Sequence, residues 1–362
     1  MKKDRIKLRY LCGFLILIFT VPCCTKYKPE SQEKPYIDGW TIESIDLNID
    51  VHATQLLFIN PSTGYIIGYN GAIYSTTDSG NTWQPQNSET TLHLNSVFFL
   101  DENTGFISGR GMSGCLDPDC DKGSIFLKTT DGGNHWNKIF YDSLAYLESM
   151  QFRDYDNGIA VMECYQRPNE KHMFLVKTNN SGVTWSKTNI DIPQTTPAIL
   201  VNVQDVYYLI GENHKILKSL DYGNSWQLYD TPVIASNDIQ DMYFINKDIG
   251  FITDGLYRYK TVNGAVTWQK MDNQPSWFHS VHFFSELEGF GFDIVSAYEG
   301  GDFPTFKGTY IYTTKDGGIT WSRSNLYSKF IIGYPNFPIP DIGYALSGSE
   351  LYRFTKNQIG NN

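Results

Sequence analysis

The chain has 362 residues, of which 41% are hydrophobic, 15% aromatic and 19% charged. This composition excludes intrinsic disorder, and the length allows two or three ordinary domains or one large β architecture. The net charge is −10, and residues 1–23 hold five Lys or Arg and one Asp, so the rest of the chain carries −14. Because so acidic a chain offers no basic stripe to neutralise phosphates, nucleic acid is excluded as a partner.

The N-terminus resembles a bacterial lipoprotein signal. Five basic residues precede a mostly apolar run of 12 residues, Tyr10–Val21, which is too short to span about 30 Å of hydrocarbon. The lipobox pattern places a small residue before the acylated Cys, which favours Cys24 over Cys23. A cleaved secretory signal with incidental thiols is the alternative. We predict a signal peptide over 1–23 and a flexible tether over 24–35. We also predict an exported protein anchored by lipid to the cell envelope, on the periplasmic or surface face of an outer membrane.

Six short segments repeat along the chain with the consensus Ser/Thr-x-Asp/Asn-x-Gly-x-Ser/Thr-Trp, and such periodicity guides the fold prediction. The Asp or Asn can cap its own backbone two residues on, and Gly accepts a positive φ, so each copy predicts a hairpin turn. Ala265 replaces this Gly in one copy, which predicts a strained or differently shaped turn. The capping position is occupied by Asp78, Asp131, Asn180, Asp221, Asn263 and Asp316.

A second motif, Gly followed by an aromatic or aliphatic run, precedes these turns, and another apolar run precedes the motif. Gly64–Gly68 and Gly105–Gly109 are examples, whereas the fourth copy, Val206–Gly211, lacks the leading Gly. Each unit therefore carries four short strands, A to D, with the repeated turn between C and D. Four-stranded units in tandem are typical of β-propeller blades.

The two ends of the chain predict the number of blades. The last unit, Phe330–Thr355, has three strands and no Trp strand after them, while an unassigned Trp strand, Trp40–Ile45, precedes the first unit. Pairing the two ends would close the ring. We predict an all-β, seven-bladed β-propeller of four-stranded antiparallel blades over residues 36–356. An N-terminal strand pairs with the C-terminal three strands to close it, and residues 357–362 form a tail.

The repeated turns are the Asp-box, or BNR, repeat of sialidases and several non-catalytic propellers. Combined with the Gly-aromatic motif over Trp40–Thr355, they resemble the photosystem II assembly/stability-factor propellers and related lipoproteins of non-photosynthetic bacteria. The resemblance implies an assembly or stability factor for a membrane-associated complex, with a protein partner in the cell envelope and no cofactor. Because the repeated residues build the scaffold, the resemblance is specific for fold rather than function.

Three connections between strands B and C are longer than the Tyr69–Ala72 connection of the first unit. They are Arg110–Ser124, Glu163–Lys171 and Asp293–Gly308, and all three fall at the end opposite the Asp boxes. We predict that this end binds a protein or a glycan; loop drift without function is the alternative. The candidate binding residues are Arg110, Asp117, Asp119, Tyr165, Arg167, Trp277, Phe278, Tyr298 and Phe303.

Cysteine and histidine usage predicts no metal site. Cys115 and Cys120 are close together in the first long connection, and in an exported protein we predict a disulfide between them. Free thiols or a metal pair are the alternatives. The run Asp117-x-Asp119-x-Asp121 hints at a calcium loop, but its Gly falls one position late and Lys occupies the twelfth position.

Sialidase activity is disfavoured, because the chain lacks the Arg-Ile-Pro motif and the arginine trio with which that family binds a carboxylate. Other glycan-cleaving propellers need only two carboxylates, which Glu163 with Asp293 or Glu299 would supply. The favoured function is a non-catalytic protein-interaction scaffold. A glycan-binding or glycan-cleaving propeller is the alternative.

Overall fold

The computed structural model describes Ile37 and residues 39–111, 124–142, 145–167, 170–192, 199–210, 215–233, 239, 241–254, 257–271, 278–297, 305–328 and 332–357. In these residues the chain forms 28 strands and one short 3-10 turn, Tyr69–Gly71. No helix in this part of the chain is long and apolar enough to cross a bilayer. Cys24 and the Cys115–Cys120 pair lie outside the described residues, and the predicted domain boundaries stay predictions.

The strands form seven antiparallel sheets of four strands each, which confirms the predicted seven-bladed propeller. Strand A is the innermost strand of each sheet, and neighbouring A strands contact one another at six of the seven seams between blades. The strands are β1 (Trp40–Asp46); in blade 1, β2 (Ala53–Phe58), β3 (Gly64–Gly68), β4 (Ile73–Thr76) and β5 (Gln84–Gln86); in blade 2, β6 (His93–Phe99), β7 (Gly105–Arg110), β8 (Ser124–Thr129) and β9 (Asn137–Asp142); in blade 3, β10 (Ala145–Phe152), β11 (Gly158–Arg167), β12 (Glu170–Thr178) and β13 (Ser186–Ile192); in blade 4, β14 (Leu200–Val203), β15 (Val206–Ile210), β16 (Ile216–Ser219) and β17 (Gln227–Tyr229); in blade 5, β18 (Asp241–Phe244), β19 (Gly250–Thr253), β20 (Arg258–Thr261) and β21 (Gln269–Lys270); in blade 6, β22 (Phe278–Phe283), β23 (Gly289–Ala297), β24 (Thr305–Thr314) and β25 (Ser322–Ser328); and in blade 7, β26 (Gly333–Ile339), β27 (Ile342–Ser347) and β28 (Glu350–Lys356) with β1.

Blade 7 is completed by β1, as predicted. The strand pairs antiparallel with β28, and Trp40 lies opposite Lys356 at one end of the register. Trp40 is only 6% exposed, and its ring meets Phe337 of β26 edge-on with centroids 6.1 Å apart. Trp40 therefore takes the place that a repeat Trp takes in the other blades, and the first and last strands close the ring.

In each Asp-box turn the capping side-chain oxygen accepts from the backbone N four residues on. In the first copy, Asp78 Oδ1 accepts from the backbone N of Thr82 at 2.9 Å, four residues on. Trp83 donates from Nε1 to the carbonyl of Gly80 at 3.1 Å, so the Trp belongs to the turn and strand D begins one residue later than predicted. Ala265 has a φ of 69°, so the predicted strain is present although the turn keeps its shape.

A repeated ring contact joins neighbouring blades. An aromatic residue near the start of strand B lies against the strand A Phe of the next blade, as Tyr65 stacks on Phe99 with centroids 4.3 Å apart. The preceding Gly makes room for the Phe of its own blade, because a Cβ on Gly64 would come within 2.8 Å of the Phe58 ring. Ring pairs of this kind occupy six seams: Tyr65–Phe99, Phe106–Phe152, Tyr208–Phe244, Phe251–Phe283, Phe290–Phe337 and Tyr344–Phe58.

Cationic side chains reinforce several seams. Lys218 Nζ donates to the carbonyl of Gly264 at 2.9 Å, and the equivalent Lys260 donates to Gly317 at 3.0 Å. In each pair the lysine belongs to strand C of one blade and the carbonyl belongs to the Asp-box turn of the next. The Asp-box end of the propeller is thus tied together from blade to blade.

Two of the three predicted long loops are mainly strand, so that part of the prediction was wrong. Glu163–Lys171 lies in β11 and β12 except for residues 168 and 169, and Asp293–Gly308 lies in β23 and β24 at both of its ends. Strand pairing continues to Arg167 opposite Glu170. These segments are extended hairpins. Arg110–Ser124 is described only at its ends.

Candidate functional site

The predicted binding residues that the structure describes lie at the end of the blades opposite the Asp boxes. Arg110 ends β7, opposite His93 of β6 and Ser124 of β8. Tyr165 and Arg167 lie in β11, and Phe278 begins β22. The remaining candidates, Asp117, Asp119, Trp277, Tyr298 and Phe303, lie outside the described residues. The predicted binding face therefore stays a prediction.

The Asp-box side chains hold their own turns. Hydrogen bonds from the His135 side chain keep the pKa of the Asp131 carboxyl at about 2, and the Ser225 hydroxyl does the same for Asp221. In every copy a side-chain oxygen accepts from the backbone N four residues on. The six residues that cap turns in this way are Asp78, Asp131, Asn180, Asp221, Asn263 and Asp316.

One buried ionic cluster joins blades 5 and 6. Burial raises the pKa of Asp293 in β23 to about 6, although the charge of Arg258 in β20 opposes this shift. Asp293, Arg258 and Tyr312 are each less than a tenth exposed. Of the carboxylates considered as catalytic partners of Asp293, Glu163 belongs to blade 3, and Glu299 lies outside the described residues. Within the described residues, no group of three or more His, Cys, Asp or Glu is placed to hold a metal ion.

Polar side chains also link the inner strands around the channel. Gln55 Oε1 of blade 1 accepts from the backbone N of Val97 in blade 2 at 2.7 Å. Asp241 accepts in the same way from Val281, between blades 5 and 6, and burial raises the pKa of its carboxyl to about 6. These two side chains accept hydrogen bonds from the inner strand of the next blade, so they hold the inner strands together.

Blade 4 departs from the other blades at the seam that it shares with blade 3. The other blades set a Phe against a Gly, whereas blade 4 pairs Asn202 of β14 with Tyr207 of β15. Tyr207 is 2% exposed, and its hydroxyl makes no hydrogen bond within the described part of the chain. Ile159 stands on the blade 3 side where other blades have an aromatic residue. This seam therefore has no ring pair.

A strained tyrosine lies at the same seam. Tyr222 follows the capping Asp221 and has a φ of 58°, a left-handed conformation that is unfavourable for a bulky side chain. The guanidinium carbon of Arg153, which follows β10, lies 4.1 Å from the centroid of the Tyr222 ring. Arg153 Nε also forms an ion pair with Asp154 Oδ2, with 3.3 Å between the two atoms. The corresponding positions of the other five boxes hold small residues: Ser79, Gly132, Ser181, Gly264 and Gly317.

A cavity of about 320 Å³ opens between blades 3 and 4 at the Asp-box end. Its lining includes the cationic side chains of Arg153 and Lys177 and the rings of Tyr207 and Tyr222, and none of the described residues that line it is acidic. Lys177 Nζ donates to the side-chain oxygen of Asn224 at 2.7 Å, and burial lowers the pKa of its ammonium group. The cavity lies at the opposite end from the predicted binding face.

The sequence alone does not predict this cavity, although two of its features point to the seam. The fourth strand B motif has Tyr207 where other copies have Gly, and the fourth Asp box has Tyr222 where the others have Ser or Gly. Arg153 carries no motif of its own. Only the fold brings it beside Tyr222, because residues of different blades meet only at a seam.

Comparisons with known proteins were made for sequence and for structure. The sequence family described as "Photosynthesis system II assembly factor YCF48" matches residues 34–162. The chain is 25% identical over 346 residues to the photosystem II assembly lipoprotein Ycf48 of Synechococcus sp. (strain CC9902), an alignment that covers 93% of each chain. It is 26% identical over 117 residues to the chloroplastic photosystem II stability/assembly factor HCF136 of Oryza sativa subsp. japonica, over 30% of this chain and 25% of the relative.

Solved propellers share the fold. YCF48 bound to D1 peptide matches with a TM-score of 0.63 and 18% identity, covering 89% of this chain and 99% of its own. YCF48 from Cyanidioschyzon merolae gives 0.61 and 17%, with coverage of 87% and 98%. The GH74 enzyme of Niastella koreensis gives 0.61 and 16%, but only 53% of the enzyme is covered, against 86% of this chain. The chain is a seven-bladed Asp-box propeller similar, in sequence and in fold, to the photosystem II assembly factors.

Proposed function

We propose that the protein is a non-catalytic scaffold of the cell envelope, which holds a segment of another protein while a membrane-associated complex is assembled or stabilised. The observation that carries the proposal is the similarity to an assembly lipoprotein over 93% of both chains, with no large part of either left over. A relative that differed in domain content would give much weaker support, since one fold hosts many functions.

The geometry of the polar groups supports a binding role. The Asp-box carboxylates and amides are taken up by their turns, and Gln55 and Asp241 are taken up by the channel wall. Asp293 is buried against Arg258. The described residues thus use these groups for structure, and what they offer to a partner is surface and several cavities, among them the one between blades 3 and 4. One similar solved propeller carries a bound D1 peptide, which supports a peptide segment as the kind of partner.

The proposal includes export and a lipid anchor at Cys24. The basic N-terminus, the short apolar run and the Cys pair support it, as does the lipoprotein description of the Synechococcus relative. Mass spectrometry of the mature N-terminus is the test. We expect an acylated Cys24, and an unacylated terminus beyond residue 25 would contradict the anchor while leaving the scaffold role open.

Affinity purification from detergent-solubilised membranes tests the scaffold role. We expect one membrane-complex subunit to co-purify reproducibly, and the amount of its complex to fall when the gene for this chain is deleted. Absence of such a subunit, together with an unchanged complex in the deletion strain, would contradict the proposal. Re-expression of the intact chain is the control, because it should restore the complex.

The glycan-active alternative predicts a different result. It needs turnover that depends on two carboxylates, for which Glu163 and Asp293 are the candidates. Hydrolysis of a glycan panel that is abolished by Glu163→Gln or Asp293→Asn, in variants that remain folded, would replace the scaffold role with an enzymatic one. Because Asp293 is a buried partner of Arg258, we expect Asp293→Asn to change stability without revealing any turnover.

A further inference from the structure

The seam between blades 3 and 4 differs from the other six in several ways. It has no ring pair, Tyr207 replaces a Gly, and Tyr222 adopts a strained conformation that Ser or Gly adopts elsewhere. Strain in a repeated turn is costly, and a fold that supplies the same turn with small residues in five other places does not need it. The departures converge on one cavity of about 320 Å³.

The cavity is lined with hydrogen-bond donors. Arg153 forms an ion pair with Asp154 and sets its guanidinium over the Tyr222 ring, two contacts that hold the group at the edge of the cavity. Lys177 is fixed by Asn224, and an ammonium group has three donors, of which this bond uses one. Burial raises the pKa of Tyr207 to about 12, so its hydroxyl stays protonated at physiological pH. Two cations and a neutral hydroxyl therefore surround the cavity.

Two neighbouring carboxylates, Asp154 and Asp221, are already engaged, whereas the charge of Asp205 acts on the Tyr207 hydroxyl. Asp154 accepts from the backbone N of Asn157 at 2.8 Å in addition to its ion pair with Arg153, and Asp221 accepts from the Ser225 hydroxyl. A planar guanidinium beside an ammonium group matches the two oxygens of a carboxylate better than any neutral group. The cavity volume is at the small end for ligand sites, which suits one side chain or one chain terminus rather than an oligosaccharide.

We propose that this cavity is a carboxylate-binding subsite, which takes an acidic side chain or the C-terminal carboxylate of a peptide segment held by Arg153, Lys177 and Tyr207. The peptide rests on the proposed scaffold function, whereas the carboxylate rests on the residues alone. Because the rest of the chain is acidic, the subsite is selective: it accepts an anion only where close contacts outweigh general repulsion.

Four small probes test the proposal on the purified full chain in detergent. They are N-acetyl-trialanine with a free C-terminus, its C-terminal amide, N-acetyl-Ala-Glu-Ala amide and N-acetyl-Ala-Gln-Ala amide. Titration followed by saturation-transfer NMR should show binding of the first, the third or both, with the matched neutral probe at least roughly 10-fold weaker. The pair that shows the difference identifies the source of the carboxylate. Equal binding of all four probes, or binding of none, would overturn the subsite.

Variants make the test specific to the seam. Arg153→Gln should weaken the carboxylate probe by roughly 10-fold or more, and Lys177→Met should weaken it too. Lys260→Met is the matched control, because Lys260 occupies the same strand position at another seam and should leave binding unchanged. Retained binding in Arg153→Gln, or an equal loss in Lys260→Met, would contradict the assignment.

Tyr222→Gly separates a functional role from a structural one. The substitution removes the strain and the ring beneath Arg153, so we expect a higher thermal midpoint, by roughly 1–2 °C, together with weaker probe binding. Ser79→Gly makes the same change in blade 1, where φ is 63°, and should raise the midpoint without affecting the probe. If Tyr222→Gly binds the probe as the parent does, the strained Tyr has no part in the subsite and the proposal fails in this form.

The two proposals can fail separately. If the subunit still co-purifies but no carboxylate probe binds, the subsite is wrong and the scaffold role stands. If the probes bind as expected but no complex depends on the chain, the subsite stands and the scaffold role is wrong. Tighter binding of glucuronate than of N-acetyl-Ala-Glu-Ala amide would overturn the peptide as ligand.

Discussion

Blade 4 packs strand A against strand B with residues that differ from those of the other six blades. Elsewhere a Phe on strand A lies on a Gly of strand B, and a second ring from the previous blade lies against that Phe. In blade 4 the Gly has become Tyr207, the Phe has become Asn202, and the ring on the blade 3 side has become Ile159. The three changes depend on one another, because the three side chains pack into the same small volume of the core. Repetition therefore specifies the scaffold, and linked departures from it indicate a site.

Trp40→Ala should have the largest effect on stability. Trp40 is 6% exposed and contacts Phe284, Phe290 and Phe337, so we expect a loss of about 3–5 kcal/mol in the free energy of unfolding, measured with urea. Trp226→Ala in blade 4 is the comparison, because Trp226 is only partly buried and has no strand A Phe beneath it. An equal loss in the two variants would mean that the ring contact contributes nothing.

Exchange of the blade 4 pair for the common one tests whether the changes are linked. Asn202→Phe alone should clash with Tyr207, and Tyr207→Gly alone should leave a cavity, so each should destabilise the fold. The double variant restores Phe against Gly, and we expect a favourable coupling of about 2–3 kcal/mol in a double-mutant cycle. Additive effects would show that Asn202 and Tyr207 changed independently.

Equivalent positions on the inner strands of blades 1 and 5 hold a neutral side chain, Gln55, and an acidic one, Asp241. Asp241 and Gln55 make the same bond to the next inner strand, but burial raises the pKa of Asp241 from 3.8 to about 6. The folded chain therefore binds this proton more tightly than the unfolded chain, and stability falls as pH rises from about 4 to about 6. We expect Asp241→Asn to be more stable than the parent by roughly 1–2 kcal/mol at pH 7 and to show no such gain at pH 4. Urea unfolding at both values is the measurement, and a gain independent of pH would contradict the assignment.

Ala265→Gly should have the smallest effect. Ala265 has a φ of 69° and is fully buried, so Gly relieves the backbone but removes a packed methyl group. We expect a net gain of about 0.5 kcal/mol, from roughly 1 kcal/mol of relieved strain less the lost burial. The same change at Tyr222 removes a ring that is partly exposed, so the gain there should be larger. A net loss at Ala265 would show that packing outweighs strain.

Most of the architecture could be predicted, because a strand or turn that is uncertain in one copy of the repeat is clear in others. Six copies of one turn establish the blade, and the unassigned strand at Trp40 establishes how the ring closes. The lengths of β11, β12, β23 and β24 could not be predicted in the same way, since nothing repeated indicates where a hairpin stops pairing. The seam cavity was harder still: Arg153 and Tyr222 are 69 positions apart, and their contact depends on how two blades meet.

The pairing of β1 with β28 has a consequence for the order of events during synthesis. Thr41 bonds to Asn357, 316 positions later, so β1 stays unpaired until β28 has been made. Blades 1 to 6 can each form from consecutive residues, but the seventh cannot exist until nearly the whole chain is available. A chain cut short near its C-terminus therefore leaves two unpaired strands at opposite ends of an open arc. Such an arc exposes the unpaired backbone groups of two strand edges, which the closed ring covers.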